Sequence, residues 1–414
     1  MAPAGGAASP TATCETTDVL VAGGGIAGLV AATAFAANGF RTLCVDPAPP
    51  VTEERAPGAD IRTTAFMQPS RALLERIGLW PRLAPHAAPL QIMRIVEAGG
   101  RQGEIREIAD FDAAEISDSP FGWNLPNWLL RREILAHLAT LPLATFRPGV
   151  GVADILPRTR EALVTLSDGS RVKADLVIAA DGRDSPIRTR LGIRTTTWRY
   201  GQKALVFSAS HPRPHGHVST EIHRSGGPFT LVPLPDGEDG RHRSAVVWMD
   251  RGPEQRRRHA LAPEALAKEA TERSGGLLGP LTVEGPIALW PIITRFAHRL
   301  TGPRTALVAE AAHVVPPIGA QGLNLSLADI TALLDPAVAD AASLGDAPML
   351  AAYERRRKWL VRTRVQGIDL LNRTSIAGVP LLRDLRRIGI RIIRDTPPLR
   401  QRLMRAGMGP GLLG

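Results

Sequence analysis

Gly23, Gly25 and Gly28 stand in the stretch TDVLVAGGGIAGLVAATAFAANGFRTLCVDP (17–47), spaced as Gly-x-Gly-x-x-Gly. The chemistry this spacing serves is the binding of a dinucleotide pyrophosphate. Gly23 makes a tight turn, Gly25 lets the backbone approach the phosphates, and Gly28 lets a helix pack on a strand. Ile26 and Ala27, between the last two glycines, open that helix with unpaired N–H groups that favour negative charge. Asp46 follows Gly28 by 18 residues and can accept hydrogen bonds from a ribose. An acid there argues against a 2′-phosphate, so FAD or NAD fits better than NADP. GPGLLG (409–414) has the same spacing. No strand precedes it and no helix can follow, so it reads as a flexible end.

Two further stretches carry chemistry. In DGRDSPIR (181–188), Asp181 and Gly182 follow an apolar strand. In ALVAEAAHVVPPIGAQGLNLSLADI (306–330), an apolar run ends on Glu310, and a proline- and glycine-rich turn leads into a helical pattern. Glu310 reads either as a ligand contact or as a helix cap, and His313 either as a proton relay or as a packed histidine. Ser185 and Arg188 either serve a nucleotide or cap and brace the helix after the strand. His211, His215, His217 and His223 invite a metal reading, but they lie in a proline-rich loop without cysteine partners, so no metal is expected. No Gly-x-Ser-x-Gly occurs, which argues against a serine hydrolase.

These residues need a scaffold. The chain has 414 residues, too many for one ordinary core. The pattern around 17–47 is a βαβ unit, 60–80 and 125–141 hold amphipathic helices, and 161–180 reads as a hairpin and a strand. Residues 196–290 alternate as a mostly antiparallel β region. The fold class is α/β: a Rossmann-like domain formed by 17–95, 126–195 and 296–345, and a β-sheet substrate domain from 96–125 and 196–295. Helices follow over 346–414, basic and amphipathic, and 1–16 reads as a disordered tail without signal-peptide features. Two cysteines, Cys14 and Cys44, favour a reducing compartment. No apolar run is long enough for a bilayer.

Net charge is +10, and residues 378–414 hold eight arginines against two aspartates, 8 − 2 = +6. That bias suits anionic lipid or nucleic acid, or else a solvated helical face. The tail has no interleaved aromatics, which disfavours nucleic acid. In PLLRDLRRIGIRIIRD (380–395), Leu381, Leu382, Leu385, Ile388 and Ile392 share a helical face flanked by arginines. The segment is either an interfacial helix or one packed on the nucleotide domain.

Taken in order, the glycine turn with Asp46, DGRDSPIR and AEAAHVVPPIGAQGLNL (309–325) resemble the FAD-dependent aromatic hydroxylases of the para-hydroxybenzoate hydroxylase type, across most of 17–340. YGQKALVF (200–207), GPFTLVPL (227–234), ALWPII (288–293) and RLMRAGMG (402–409) look like the ubiquinone-biosynthesis hydroxylases within that family. The resemblance implies non-covalent FAD, NAD(P)H as a transient co-substrate without its own domain, and O2 activated as a flavin peroxide. A polyprenylated phenol would be the substrate. By motif position, Glu310 meets ribityl hydroxyls, Gly322 lets the turn lie against the flavin, and Leu323 and Asn324 donate backbone N–H groups to its pyrimidine end. Pro317 borders the substrate and offers its carbonyl, the catalytic assignment. Asp181 and Gly182 lie by the ribityl or pyrophosphate region, Arg62 near the phosphates, and Asn127 near the flavin. The family's Gly-Asp is here Ala309-Glu310. The subfamily also implies a cytoplasmic protein, peripheral on the inner face of the membrane through 379–414, and a place in a ubiquinone-synthesis complex. A soluble hydroxylase of small aromatics, and a non-catalytic lipid-binding or assembly subunit, are the alternatives.

Overall fold

The computed structural model describes residues 14–99, 104–224, 226–376, 388–389 and 391–408. Leu381, Leu382 and Leu385 of the expected amphipathic face lie outside these, as do 1–13.

Strand β1 (Cys14–Ala22) is central because Val19 to Val21 are wholly apolar and must be covered on both faces. It pairs in parallel with β2 (Thr42–Asp46) on one side and β11 (Arg171–Ala179) on the other. β8 (Ala144–Pro148) extends this sheet beyond β2, and β17 (Thr301–Gly302) and β18 (Thr305–Leu307) extend it beyond β11. A hairpin of β9 (Val152–Pro157) and β10 (Ala162–Leu166) joins at β11. β1 reaches further back than the tail boundary at 16. Cys14, Glu15 and Thr16 pair with Arg171, Val172 and Lys173, so backbone hydrogen bonding orders residues whose side chains carry no strand signal.

A second sheet runs β19 (His313–Val314), β16 (Thr282–Ala297), β12 (Thr195–His211), β15 (His242–Arg251), β14 (Gly227–Leu234), β13 (Val218–Arg224), β5 (Ile92–Gly99) and β6 (Glu104–Asp112). It is antiparallel except where β13 meets β5. A small sheet of β3 (Thr63–Met67), β7 (Gly122–Pro126) and β4 (Ala88–Leu90) lies between the two.

The helices are α1 (Ile26–Ala37), α2 (Gln68–Arg76), α3 (Trp80–Leu83), α4 (Asn127–Leu138), α5 (Pro186–Arg190), α6 (Gly252–His259), α7 (Pro263–Arg273), α8 (Ala309–Ala312), α9 (Gln321–Ala339), α10 (Ala347–Ile376) and α11 (Pro397–Met408). The main core joins the first sheet to α1, α4 and α9 through Leu20, Leu29, Phe35, Ile178 and Leu333. A second core lies under the large sheet around Phe207, Phe229, Trp248 and Leu266. Met404 and Met408 of α11 join Ala113 and Phe121 in a third cluster, with Met93 against it.

Candidate active site

The glycine turn is set by contact distances. A Cβ at Gly23 would lie 2.3 Å from the Ala180 carbonyl oxygen, and Gly23 has φ of +113°. A Cβ at Gly28 would lie 1.9 Å from the Gly23 carbonyl oxygen. At Gly25 a Cβ would meet nothing within 4 Å, because that position opens on a cleft. Gly25, Ile26, Ala27 and Gly28 all line this cleft, which brings the N-terminus of α1 to its wall. Asp46, at the end of β2, accepts from the N–H groups of Gly24 and Ala48 and does not itself line the cleft.

The cleft, of about 510 Å³, is the meeting place of all three sheets. Gly182 lines it at the end of β11, with φ of +87° and open space where a Cβ would be. Asp181 next to it accepts from the Ile187 N–H at 3.1 Å through one oxygen, while its other oxygen is buried without a partner. Burial pushes this carboxyl above its ordinary range. Ser185 caps α5 through the Arg188 N–H, and buried Arg188 donates to the Ala311 and Arg183 carbonyls. Both residues therefore cap and brace, the second of the two readings.

The run from Ala306 does not end as a strand on Glu310. β18 stops at Leu307, and Ala309–Ala312 form one helical turn entered through Ala309 with φ of +55°. Ala309 thus takes the left-handed conformation that glycine adopts readily, at a cost of about 1–2 kcal/mol. Glu310 lines the cleft and is ion-paired with Arg183 at 3.2 Å.

After β19 the chain turns through Pro316 and Pro317. Gly319 and Ala320 both have positive φ, and α9 begins. Pro317, Gly322 and Leu323 line the cleft, so a second helix N-terminus faces it. Asn324 does not line it. Its side chain clamps α9 to β3, donating to the Ala65 and Ala320 carbonyls and accepting from the Met67 N–H. His313 does line the cleft, and behind it runs a buried chain. His313 Nε2 is 2.7 Å from Asp329, which accepts from Arg357 Nε at 2.7 Å. Burial alone would raise the Asp329 carboxyl, but Arg357 and His313 hold it below its ordinary range.

Arg62 lines the opposite wall, gripped by both oxygens of Asp60 at 2.7–2.8 Å and stacked 4.3 Å over Trp290. Burial opposes its charge, but Asp60 holds its pKa above the ordinary value. Asn127, at the start of α4, donates to Asp60 at 3.0 Å and accepts from Thr64 at 2.8 Å. Arg131, one turn on, also lines the cleft and has a buried Nε without a partner. Beyond these groups the cleft continues along a mostly apolar wall of Leu90, Met93, Ile95, Phe121, Val232 and Val247, with Arg94, Asn124, Ser219, Glu221 and Thr230 set into it.

Sequence reasoning passed over Asp60, Arg131, Asn124 and the Asp329–Arg357 pair. Asp329, an acid inside the apolar helix NLSLADITALL, was the available signal for the last. Three of the four histidines that invite a metal reading have protein partners. His211 contacts the Arg213 carbonyl and Ser244, His215 the Leu234 carbonyl, and His223 pairs with Glu221.

Open space at Gly25 and a second helix N-terminus on the same cleft fit a dinucleotide whose ring lies towards the apolar half. The family profile described as FAD binding domain matches residues 16–367. A ubiquinone hydroxylase (UbiL) of Rhodospirillum rubrum is 34% identical over 82% of this chain and 77% of its own. The 3-demethoxyubiquinol 3-hydroxylase of Escherichia coli is 30% identical over 83% and 86%. The crystal structure of p-nitrophenol 4-monooxygenase PnpA from Pseudomonas putida superposes with a TM-score of 0.77 at 20% identity, covering 94% of this chain and 97% of that one.

Proposed function

The chain belongs to the FAD-binding family and is an FAD-dependent aromatic-ring monooxygenase, and we propose that its substrate is a polyprenylated phenol on the route to ubiquinone. The observation that carries this reading is the single cleft joining two helix N-termini to a long apolar wall. FAD held there would supply the redox chemistry, by which NAD(P)H reduces O2 so that one oxygen atom enters the ring and the other leaves as water.

The chain's own residues have separable tasks. Gly25 and the start of α1 would hold the pyrophosphate. Arg62, fixed by Asp60, would add positive charge near the phosphates, and Asp181 would accept from a hydroxyl through its unpartnered oxygen. Glu310 would take ribityl hydroxyls from its helical turn. The backbone N–H groups of Gly322 and Leu323, at the mouth of α9, would favour negative charge on the ring's pyrimidine end. Pro317, exposed at the cleft edge, would border the substrate. The apolar wall orients the phenol and excludes water from the reacting centre. For Asn324 the side-chain clamp supports a positioning task for the helix mouth rather than a flavin contact.

A membrane-dissolved substrate goes with an enzyme at a membrane surface. Among the described residues no helix is long and apolar enough to cross a bilayer. Exposed Trp359 and Leu370 on α10, and Ile388, Ile392, Leu399 and Leu403 near the C-terminus, support peripheral contact with a membrane surface. Assembly with other enzymes of the route follows from the same reading.

The test is spectroscopic. Purified protein offered FAD should show bound-flavin bands. Anaerobic NAD(P)H should bleach them faster when a prenylated phenol is present, and air should then yield phenol one oxygen heavier. Absence of flavin bands after reconstitution overturns the cofactor assignment. Bleaching indifferent to the phenol, with no oxygenated product, overturns the substrate.

A further inference from the structure

Asn124 sits in the middle of β7, paired with Ala65 of β3 and Ala88 of β4, and is 1% exposed. Its Nδ2 donates to the Pro233 carbonyl at 2.9 Å. A carbonyl can only accept, so this bond fixes which way round the amide lies. Oδ1 is thereby committed to the other side, where it is buried and has no hydrogen-bond partner. Asn124 lines the cleft beside Leu90, Met93, Phe121 and Val232; Arg94, Ser219 and Thr230 line it too, but none of them donates to Oδ1. A stranded acceptor in an apolar wall is unfavourable unless something that enters the cleft donates to it.

We propose that Asn124 is a specificity-determining residue that accepts a hydrogen bond from a free ring hydroxyl of the substrate. The proposal rests on the aromatic-substrate reading above and narrows it. The cleft takes phenols, catechols or hydroquinones and rejects the matching ring ethers, which cannot donate. Discrimination arises because a ring hydroxyl gives Oδ1 the partner it otherwise lacks, whereas an ether leaves it unpaired.

The experiment uses the full-length holoenzyme and measures dissociation constants for 2-geranylphenol and for its methyl ether, from the perturbation of the bound-flavin spectrum. Wild-type protein should favour the phenol by about tenfold to a hundredfold. In Asn124→Leu, a near-isosteric apolar replacement, the ratio should fall to about one, while the ligand-free melting temperature stays within a few degrees. Asn124→Ala carries the same expected ratio and decides the matter should the leucine variant not fold. Because each ratio is internal to one variant, mild destabilisation does not move it. A wild-type ratio near one, or a preference that survives in both variants, overturns the proposal. If wild-type holoenzyme binds neither compound, the aromatic-substrate reading falls with it, whereas binding both equally removes the Asn124 proposal alone.

Discussion

Glycines in one motif do different work, and single methyl groups separate the tasks. In Gly28→Ala the added carbon would press into the Gly23 carbonyl, so α1 must lift from β1. The expected result is a clear loss of thermal stability even without cofactor, together with loss of FAD binding. In Gly25→Ala the carbon meets no protein atom within 4 Å, so the melting temperature of the flavin-free protein should hardly change. FAD affinity, followed by titration of flavin fluorescence, should still fall tenfold or more, because the methyl group occupies the place of the phosphates. Equal affinity in wild type and Gly25→Ala would remove the pyrophosphate from this turn. Asp329 makes a residue-scale case in charge. Asp329→Asn leaves the buried Arg357 guanidinium uncompensated and should cost about 3–5 kcal/mol in denaturant unfolding. Asp329 titrates below its ordinary 3.8 in the folded protein, so its contribution is complete above about pH 4 and is lost as pH falls through the folded value. Wild-type stability should therefore drop on acidification below pH 4, and the variant, already weaker, should drop less steeply.

Elements were legible in the sequence to the degree that local pattern decided them. The βαβ unit of 17–46 declared itself because a buried parallel strand must be apolar throughout and the turn after it must be bare. The antiparallel region at 196–290 declared itself by alternation. What sequence could not show was placement from afar. The residues 306–310 read as one strand because Ala309 is apolar, yet its positive φ turns the chain into α8. Asn324 stood at a family backbone position, while its side chain serves as the bolt between α9 and β3, 257 residues from Met67 in sequence. Asn124 carried no signal in the sequence, because its partner, the Pro233 carbonyl, comes from β14 more than a hundred residues away. α11 is the clearest case. Its Met404 and Met408 pack on Phe121, itself a cleft residue, and Gly407 accepts from Gln321, the first residue of α9. Arg400 holds the helix to Glu115 at 2.7 Å, a half-exposed pair worth about 0.5–1 kcal/mol. Arg400→Glu should accordingly raise hydrogen exchange across 397–408 by about two- to fivefold, and adding Glu115→Arg should restore it. If exchange there is unmoved by the single change, the methionines and the hydrogen bonds to the Ala406 and Gly407 carbonyls hold the helix without the ion pair.

For the whole molecule the deciding quantity is the distribution of charge and apolar surface at the C-terminal end. Net charge is +10, and Arg355, Arg362 and Arg373 are exposed on α10. They alternate with Trp359, which is 70% exposed, and Leu370; the successive spacings of four, three, eight and three residues keep all five on one stripe of the helix. A tryptophan so exposed between arginines has no packing role in the fold. An anionic lipid surface would take the arginines at about 1 kcal/mol each and the indole at its interface. The same region leaves Leu399 and Leu403 of α11 exposed while Met404 and Met408 turn inward, so one helix is placed both at the surface and beside the cleft. Vesicle co-sedimentation is the discriminating measurement. Binding should be strong to vesicles rich in phosphatidylglycerol, weak to phosphatidylcholine alone, and should fall as salt rises, since screening acts within about 10 Å at 0.1 M. Trp359→Ala with Leu370→Ser should weaken it several-fold at constant flavin content, because neither residue contributes to the buried core. Equal binding to charged and neutral vesicles, or no loss in the double variant, would make the arginine face a solvated one and leave the phenol to reach the cleft by another carrier.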